Sequence, residues 1–325
     1  MSQQQPKIVI AAAIPEQALA VLREVGEVVT PPPGQDMDAA QLHEAVPGAS
    51  ALVCTVANQV DEALLEAAGP DLRVVSTISV GYDNIDVAAL AARGVTATNT
   101  PGVLTDATAD LTLGLLLMVT RRLGEGERLL RASTPWSFHL GFMLGTGLQG
   151  KTFGIVGLGQ IGQAVARRAR AFGMRIAYTG RRRADPALEV ELDAGYHSLA
   201  ELLGEADVVS LHCPLTPRTR HLIGADELAA MRHDAFLLNT TRGAVVDEPA
   251  LADALQAGEI AGAGLDVFEN EPAVEPRLLD RDDVVLIPHL GSATVETRTA
   301  MAVLAARNTT AVLTGSEPPT PITPG

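Results

Sequence analysis

Three side chains suited to acid–base and anion-binding chemistry lie just beyond three successive predicted strands. Arg242 follows residues 235–239, Glu271 follows 262–267, and His289 follows 284–287. In an open α/β sheet, ligands bind outside the carboxyl ends of the strands. A fixed cation can hold a carboxylate, and a histidine beside an orienting acid can donate a proton. Together these residues could bind a carboxylate and protonate a carbonyl oxygen, which are two of the functions that carbonyl reduction needs beside a hydride source.

Each of the three residues also has an ordinary structural explanation. Arg242 could be a surface residue, Glu271 a loop carboxylate, and His289, which follows Pro288, a structural histidine. Taken singly, the ordinary explanation would be preferred. Their grouping at one edge of one sheet favours a catalytic site.

A glycine-rich turn indicates what the same sheet binds. The run Gly157-Leu158-Gly159-Gln160-Ile161-Gly162 follows a predicted strand at 152–156 and precedes a predicted helix at 163–172. The first glycine permits a tight turn, the second lets the backbone approach a pyrophosphate, and the third lets helix pack on strand. In this strand–turn–helix context the motif predicts a dinucleotide-binding site.

The residue types at the end of the next predicted strand, 175–179, indicate which form of the adenosine ribose is bound. An acid at this corner accepts hydrogen bonds from a 2′-hydroxyl, whereas arginine accommodates a 2′-phosphate. The chain has Gly180-Arg181-Arg182-Arg183 here, which favours NADP(H) and leaves NAD(H) possible. A solvated basic turn is the alternative, and Asp185 remains a further candidate for contact with a ribose.

The elements that must position these residues alternate between strand-like and helix-like runs in two series. The first series has predicted strands at 8–11, 27–30, 51–55, 73–76 and 96–99 and predicted helices at 15–25 and 86–93. The second has six predicted strands, at 152–156, 175–179, 207–211, 235–239, 262–267 and 284–287. Between them, helices are predicted through Arg122 and at 124–131, and a last helix at 293–314. The pattern predicts two α/β domains with parallel sheets and a boundary near residue 101.

Composition excludes several classes of protein. The chain has 325 residues, 47% of them hydrophobic, and a net charge of -15. That length suits two domains, and the negative charge disfavours a nucleic-acid or membrane-surface partner. Cys54 and Cys213 lie in apolar segments, which predicts no disulfide framework and a cytoplasmic location. Residues 1–6 lack the pattern of a signal peptide, and 111–119 fall short of the ~20 residues of a bilayer span. No metal site is expected.

Three sequence blocks carry a resemblance to a known family. They are Asn239-Thr240-Thr241-Arg242-Gly243, then Gly264-Leu265-Asp266-Val267-Phe268-Glu269-Asn270-Glu271-Pro272, then Pro288-His289-Leu290-Gly291-Ser292-Ala293. They resemble the signature blocks of the D-isomer-specific 2-hydroxyacid dehydrogenases. The resemblance implies two doubly wound parallel-sheet domains. These are a flavodoxin-like substrate domain from 1–101 and 290–325 and a Rossmann dinucleotide-binding domain from 102–289.

The resemblance also assigns catalytic roles. It implies that His289 donates the proton, that Glu271 hydrogen-bonds this histidine and favours its protonated form, and that Arg242 binds the substrate carboxylate and polarises the carbonyl. Glu269 is a rival carboxylate, but Glu271, directly before Pro272, matches the family position.

Further contacts are implied in the same way. The backbone N–H groups of Val80 and Gly81, with Arg242 and His289, are expected to bind substrate. Beyond the glycine-rich turn and the Gly180–Arg182 corner, the residues expected to bind cofactor are Thr105, Cys213, Pro214, Thr240, Thr241, Arg242, Asp266, His289 and Gly291. Asp266 is expected to approach the nicotinamide carboxamide.

Within the family, residues 102–109, 178–181 and 291–294 are most similar to glyoxylate/hydroxypyruvate reductases. Phosphoglycerate dehydrogenases carry an arginine in the loop that matches 55–59, and this chain has none there. The expected reaction is reduction of glyoxylate to glycolate and of hydroxypyruvate to D-glycerate. A D-lactate or longer-chain dehydrogenase and a nicotinamide-sensing, corepressor-like binding protein remain alternatives.

The stretch 133–147 is apolar and glycine-rich, with Trp136, Phe138, Phe142 and Met143. In the resembled family such a segment crosses between subunits, so a homodimer is expected. The alternative is a hydrophobic loop that packs within its own chain.

Overall fold

The computed structural model describes residues 5–323, so the predictions made for residues 1–4 and Pro324 lie outside it. The chain divides into two compact units, Met1–Leu104 with Thr294–Gly325 and Thr105–Ala293. These divisions fall a few residues from those expected at 101 and 289. The assignment of the first unit to substrate binding stays a prediction.

The first unit is built on a five-stranded parallel sheet of order β2-β1-β3-β4-β5. Its strands are β1 (Lys7–Ile10), β2 (Glu27–Val29), β3 (Ala51–Cys54), β4 (Val74–Thr77) and β5 (Thr96–Thr98). Its helices are α1 (Glu16–Arg23), α2 (Ala39–Ala45), α3 (Glu62–Ala68), α4 (Val87–Ala92) and, from the end of the chain, α13 (Val295–Leu313). This strand order is flavodoxin-like.

Alternating side chains of this sheet enter two separate cores. Val9, Leu52 and Val75 lie in one core, and Ile8, Ile10, Val53 and Val74 lie in the other, where α1 and α13 also pack. Burial of both faces is what a parallel sheet covered by helices requires.

The second unit contains a seven-stranded parallel sheet of order β12-β11-β10-β9-β6-β7-β8. Its strands are β6 (Thr152–Val156), β7 (Arg175–Thr179), β8 (Ala194–Tyr196), β9 (Val208–Leu211), β10 (Phe236–Asn239), β11 (Gly262–Leu265) and β12 (Val284–Leu286). Its helices are α5 (Thr105–Thr120), α6 (Leu123–Arg131), α7 (Gln160–Ala171), α8 (Pro186–Leu192), α9 (Leu199–Glu205), α10 (Ala225–Ala230), α11 (Glu248–Ala257) and α12 (Pro276–Leu279), with a 3-10 turn at Gly243–Val245.

The two sheets confirm the predicted fold class, because the second has the Rossmann order with one additional strand. Two details of the prediction were wrong. The strand β8 was missed, so the sheet has seven strands instead of six. Helix α7 begins at Gln160, inside the glycine-rich turn, and not at residue 163.

Helix starts in both units are fixed by capping side chains. In each case the side chain accepts the amide N–H three residues further on, which contributes about 1 kcal/mol per cap. These capping residues are Asp38, Asp61, Asp86, Ser198, Asp247 and Thr294.

Cys54 and Cys213 are both free thiols. Across residues 5–323, no helix has the length and apolar character needed to cross a bilayer. The predicted cytoplasmic location stays a prediction.

Candidate active site

The glycine-rich turn lies where the strand order of the second sheet reverses. Strand β6 pairs with β7 on one side and with β9 on the other, and the turn follows β6 directly. Such a switch point is the usual ligand crevice of a doubly wound sheet.

The three glycines of this turn meet different surroundings. Gly157 has a φ of +100°, and a Cβ there would lie 2.8 Å from the carbonyl of His212. A Cβ on Gly162 would lie 2.3 Å from the Gly157 carbonyl oxygen, so this glycine allows helix α7 to pack on the turn. A Cβ on Gly159, the N-cap of α7, would meet nothing within 4 Å. The turn therefore leaves open space at the positive end of a helix, as pyrophosphate binding requires.

The corner after β7 separates its three arginines into two groups. Arg183 donates two hydrogen bonds to Glu189, of 2.9 and 2.8 Å, and the hydroxyl of the buried Tyr178 donates to the same carboxylate. Arg181 and Arg182 are exposed and form no hydrogen bond or ion pair within the described residues. Asp185, the other candidate for contact with a ribose, accepts the Ala187 amide as the cap of α8.

Arg242 is presented by a turn that Asn239 holds. The buried Asn239 amide group donates to the carbonyl of Arg242 at 2.9 Å, and its oxygen accepts the N–H of Thr241 at 3.0 Å. The Arg242 guanidinium in turn donates to the Thr241 carbonyl at 3.0 Å. The end of β10 thus fixes the backbone on either side of the arginine.

The buried carboxylate of Asp266 holds the turn that carries His289. One oxygen accepts the amide N–H of Leu290, and the other accepts that of Gly291 at 2.8 Å. The N–H of His289 donates to the Asp266 carbonyl, and His289 adopts a left-handed φ of 52°. Burial raises the pKa of the Asp266 carboxyl, although both amides and His289 oppose that shift.

His289 and Glu271 form a hydrogen-bonded pair at the ends of the neighbouring strands β12 and β11. The distance between His289 Nδ1 and Glu271 Oε2 is 2.9 Å, and Glu271 Oε1 accepts the amide N–H of Phe268 at 3.0 Å. Both side chains of the pair are about one-third exposed. With Nδ1 engaged, Nε2 is the nitrogen that can exchange a proton with a ligand.

Several charges act on the Glu271 carboxyl. Burial disfavours its ionised form. This effect is outweighed by the hydrogen bond and charge of His289, by the Phe268 amide and by the charge of Arg242. The net effect lowers the pKa of Glu271 below its usual value. The carboxylate is therefore ionised at neutral pH and can stabilise an imidazolium.

Comparison with known proteins shows the family of this chain. Residues 113–291 match the NAD-binding domain of the D-isomer specific 2-hydroxyacid dehydrogenases. A glyoxylate reductase of Thermococcus litoralis is 48% identical over 97% of this chain and 96% of its own. The chain belongs to this family.

Two solved family structures have the same fold. A glyoxylate reductase from Paecilomyes thermophila is 35% identical, with a TM-score of 0.88 and 99% of each chain covered. An NADPH-dependent glyoxylate/hydroxypyruvate reductase from Sinorhizobium meliloti, in complex with NADP and malonate, is 38% identical with a TM-score of 0.87. That similarity covers 98% of this chain and 97% of the S. meliloti chain.

Two residues predicted for the cofactor site of this dehydrogenase, Thr240 and Gly291, contact helix α5, and others lie at the start of α5 and in the loop after β9. The hydroxyl of Thr108 donates to the Gly291 carbonyl at 3.2 Å, and the hydroxyls of Thr112 and Thr240 are 3.2 Å apart. Predicted Thr105 is the first residue of α5. Predicted Cys213 and Pro214 follow β9, and burial raises the pKa of the Cys213 thiol to about 11.

Val80 and Gly81 lie in the first unit, after β4. Their carbonyl oxygens accept hydrogen bonds from Asn99, at 2.8 Å, and from the Ser79 hydroxyl. Their own N–H groups donate to no described group of that unit. The expectation that these amides bind a substrate carboxylate stays a prediction.

Sequence reasoning missed two features beside the site. Glu248, at the start of α11, is buried and accepts backbone amides of the loop that carries Glu271. Tyr178 and Glu189 hold the corner loop. In the sequence, Glu248 is indistinguishable from the acids that often occupy the first turn of a helix, so no signal marked its burial.

Proposed function

We propose that this dehydrogenase reduces glyoxylate and hydroxypyruvate to glycolate and D-glycerate. The main support for this proposal is the hydrogen bond of 2.9 Å between His289 Nδ1 and Glu271 Oε2. It lies at the edge of a sheet that also has the glycine-rich turn. The names of the Thermococcus, Paecilomyes and Sinorhizobium relatives support a small 2-oxo acid as substrate.

In this proposal the protein's own residues bind the acid and deliver the proton. Arg242 holds the substrate carboxylate and polarises the carbonyl, because a guanidinium matches a carboxylate with two parallel bonds. His289 Nε2 donates a proton to the carbonyl oxygen as the alcohol forms, and Glu271 stabilises the imidazolium before that transfer. The bound nicotinamide supplies the hydride that completes the two-electron reduction.

Asp266 has a supporting role in this proposal. By accepting both the Leu290 and Gly291 amides, it fixes the backbone that directs His289. A general acid must lie within hydrogen-bond reach of the atom that it protonates, so this turn is part of the catalytic geometry. The expected contact of Asp266 with the nicotinamide carboxamide also belongs to the proposal.

We further propose a preference for NADPH over NADH. Arg181 and Arg182 are exposed and lack partners in the described residues, so both can meet a 2′-phosphate. Arg183 is already engaged by Glu189. No acid stands at Gly180 to accept from a 2′-hydroxyl.

A homodimer completes the proposal. The exposed apolar side chains Trp136, Phe138, Leu140 and Leu144 lie close together in the sequence, and Trp136 stacks on Phe142 with ring centroids 5.8 Å apart. Exposed apolar clusters commonly mark protein interfaces. Phe138→Asp with Leu140→Asp should produce a monomer in sedimentation equilibrium, and an unchanged association state would remove this segment from the interface.

The reaction is tested with a substrate panel. Purified protein is assayed with glyoxylate, hydroxypyruvate, pyruvate and bulkier 2-oxo acids, each with NADH and with NADPH. The highest kcat/KM is expected for the two small acids with NADPH. A higher value for pyruvate or a bulkier acid would replace the proposed substrates, and no turnover with any acid would refute the enzymatic proposal.

A further inference from the structure

The buried acid Glu248 has no part in the proposed reaction. It is 5% exposed and stands at the first position of α11, directly after the capping residue Asp247. A carboxylate is costly to bury unless hydrogen bonds compensate it. Hydrogen bonds to the Glu248 carboxylate should therefore compensate its burial.

Both oxygens of Glu248 accept backbone amides from a single loop. Oε1 accepts the N–H of Glu269, and Oε2 accepts that of Glu275 at 3.4 Å. The two amides lie at opposite ends of the loop 268–275. One side chain thus ties the two ends of this loop to the start of α11.

The tied loop carries Glu271. The Phe268 amide donates to Glu271 Oε1, and the next amide, of Glu269, donates to Glu248. Consecutive amides at the start of this loop therefore donate to Glu271, the carboxylate partner of His289, and to the buried Glu248. A displacement of the Glu269 amide would displace the Phe268 amide and, with it, Glu271.

Close packing links the same loop to Arg242. A Cβ on Gly243 would lie 1.8 Å from the Phe268 carbonyl carbon and 2.1 Å from the Glu269 nitrogen. The turn after Arg242 therefore rests on the Phe268–Glu269 peptide. Gly243 and Glu248 hold that peptide from one continuous segment, 243–248.

We propose that Glu248 is a positioning residue that fixes Glu271, and through it the His289 imidazole, in register with Arg242. The assignment rests on the proposed function, since it concerns the same proton donor. Glu248 contacts no reacting atom. It acts through the backbone of the loop 268–275.

The charged groups around this network determine how the proposal can be tested. Glu269 and Glu275 lie near Glu248, and Asp266 and Arg242 act on the Glu271 and His289 pair. A substitution at Glu248 removes both a charge and an acceptor for amides. The test must separate these two effects.

Two variants and one control achieve that separation. Glu248→Gln keeps the size of the side chain, but its NH₂ group cannot accept the second amide. Glu248→Asp keeps the charge but is one methylene too short to reach both amides. Glu275→Gln removes a nearby charge and retains both backbone hydrogen bonds, because the Glu275 carboxylate binds Arg277 instead.

The readouts are kcat for glyoxylate and the NMR titration of the His289 ring, identified as the resonance lost in His289→Ala. We expect both Glu248 variants to lower kcat about tenfold, because small misplacements of a catalytic group are costly. Both should also move the His289 titration to lower pH, as the imidazolium loses a well-placed carboxylate. Glu275→Gln should match the wild type in both measurements.

Three results would overturn the proposal. A wild-type titration in Glu248→Asp would show that only the charge matters. Wild-type kcat and titration in both Glu248 variants would show that the loop does not need the two hydrogen bonds to Glu248. Failure of both variants to fold would make Glu248 a residue of the fold as a whole. The titration needs no substrate, so absence of glyoxylate turnover in the wild type would refute the proposed function without affecting this comparison.

Discussion

Arg183 and Glu189 form a two-bond pair, so one of the three adjacent arginines that follow β7 is already engaged. The Arg183 Nε and Nη2 atoms donate to the two Glu189 oxygens, and the buried Tyr178 hydroxyl donates to the same group. The Tyr178 hydroxyl also accepts a hydrogen bond from the Ala184 amide at 2.7 Å. The loop is therefore fixed from inside, while Arg181 and Arg182 remain exposed.

This division predicts different effects for the three arginines. Arg181→Ala with Arg182→Ala should reduce kcat/KM with NADPH by roughly 10²- to 10⁴-fold, because each arginine loses a hydrogen bond to a charged group that contributes about 1.5 to 3 kcal/mol. Activity with NADH should change little. Arg183→Ala, the matched control, should affect both cofactors alike. An unchanged NADPH to NADH ratio in the double variant would make the corner a solvated turn.

The same corner should allow the cofactor preference to be reversed. Gly180→Asp with Arg181→Ala introduces a carboxylate that accepts from a 2′-hydroxyl and repels a 2′-phosphate. A Cβ on Gly180 has its nearest neighbour at 3.6 Å, so a side chain can begin there without a clash at Cβ. The ratio of kcat/KM for the two cofactors should then favour NADH. Retention of the wild-type ratio would contradict the assignment of this corner.

His289→Ala should lower kcat by ~10² to 10⁴, the usual contribution of a positioned general acid. Cofactor binding, followed by fluorescence titration, should stay nearly intact because the glycine-rich turn is untouched. Near-normal turnover would remove His289 from the mechanism.

Glu271→Gln should alter the pH dependence of reduction. In the folded chain the pKa of Glu271 is lowered, since His289, the Phe268 amide and Arg242 outweigh burial. The stabilisation from this pair is thus present at neutral pH and is lost as the pH falls through that lowered value. Without the charge, fewer imidazolium ions survive at neutral pH, so the pH above which reduction fails should move toward acid. An unmoved pH–rate profile would argue against the pairing.

Arg242→Lys should be poorly tolerated. Lysine keeps the charge but lacks the planar fork that holds a carboxylate through two parallel bonds. KM for the oxo acid should rise and kcat should fall in steady-state kinetics. If only KM for the cofactor changed, Arg242 would be a cofactor residue and its assignment to the substrate would be wrong.

Most of the fold could be predicted because the strands follow simple patterns. Strands β6 and β7 have the predicted bounds, since each has a buried, mostly apolar centre and is followed by turn residues. Strand β8 was missed because Ala194-Gly195-Tyr196 is short, contains glycine and lies at the sheet edge, where no alternating pattern is needed. The start of α7 was misplaced because Gly159 serves as its N-cap without a capping side chain.

The candidate site was predictable where chemistry depends on residue type and position after a strand. The hydrogen bond between His289 and Glu271 was expected from the family resemblance, and the structure places it at 2.9 Å. The division among the three arginines was not predictable, because Glu189 selects its partner through the path of the loop. Burial of Glu248 depends likewise on a backbone that returns from 268–275, which no local pattern shows.

Helix α5 contacts the loops that follow β12 and β10 through threonine hydroxyls one turn apart, Thr108 to Gly291 and Thr112 to Thr240. One hydrogen bond therefore joins each loop to the same helix, so a displacement of α5 along its axis would act on both loops. The helix thus couples the positions of the two loops. A ligand that reached both loops would therefore meet two surfaces positioned by one helix.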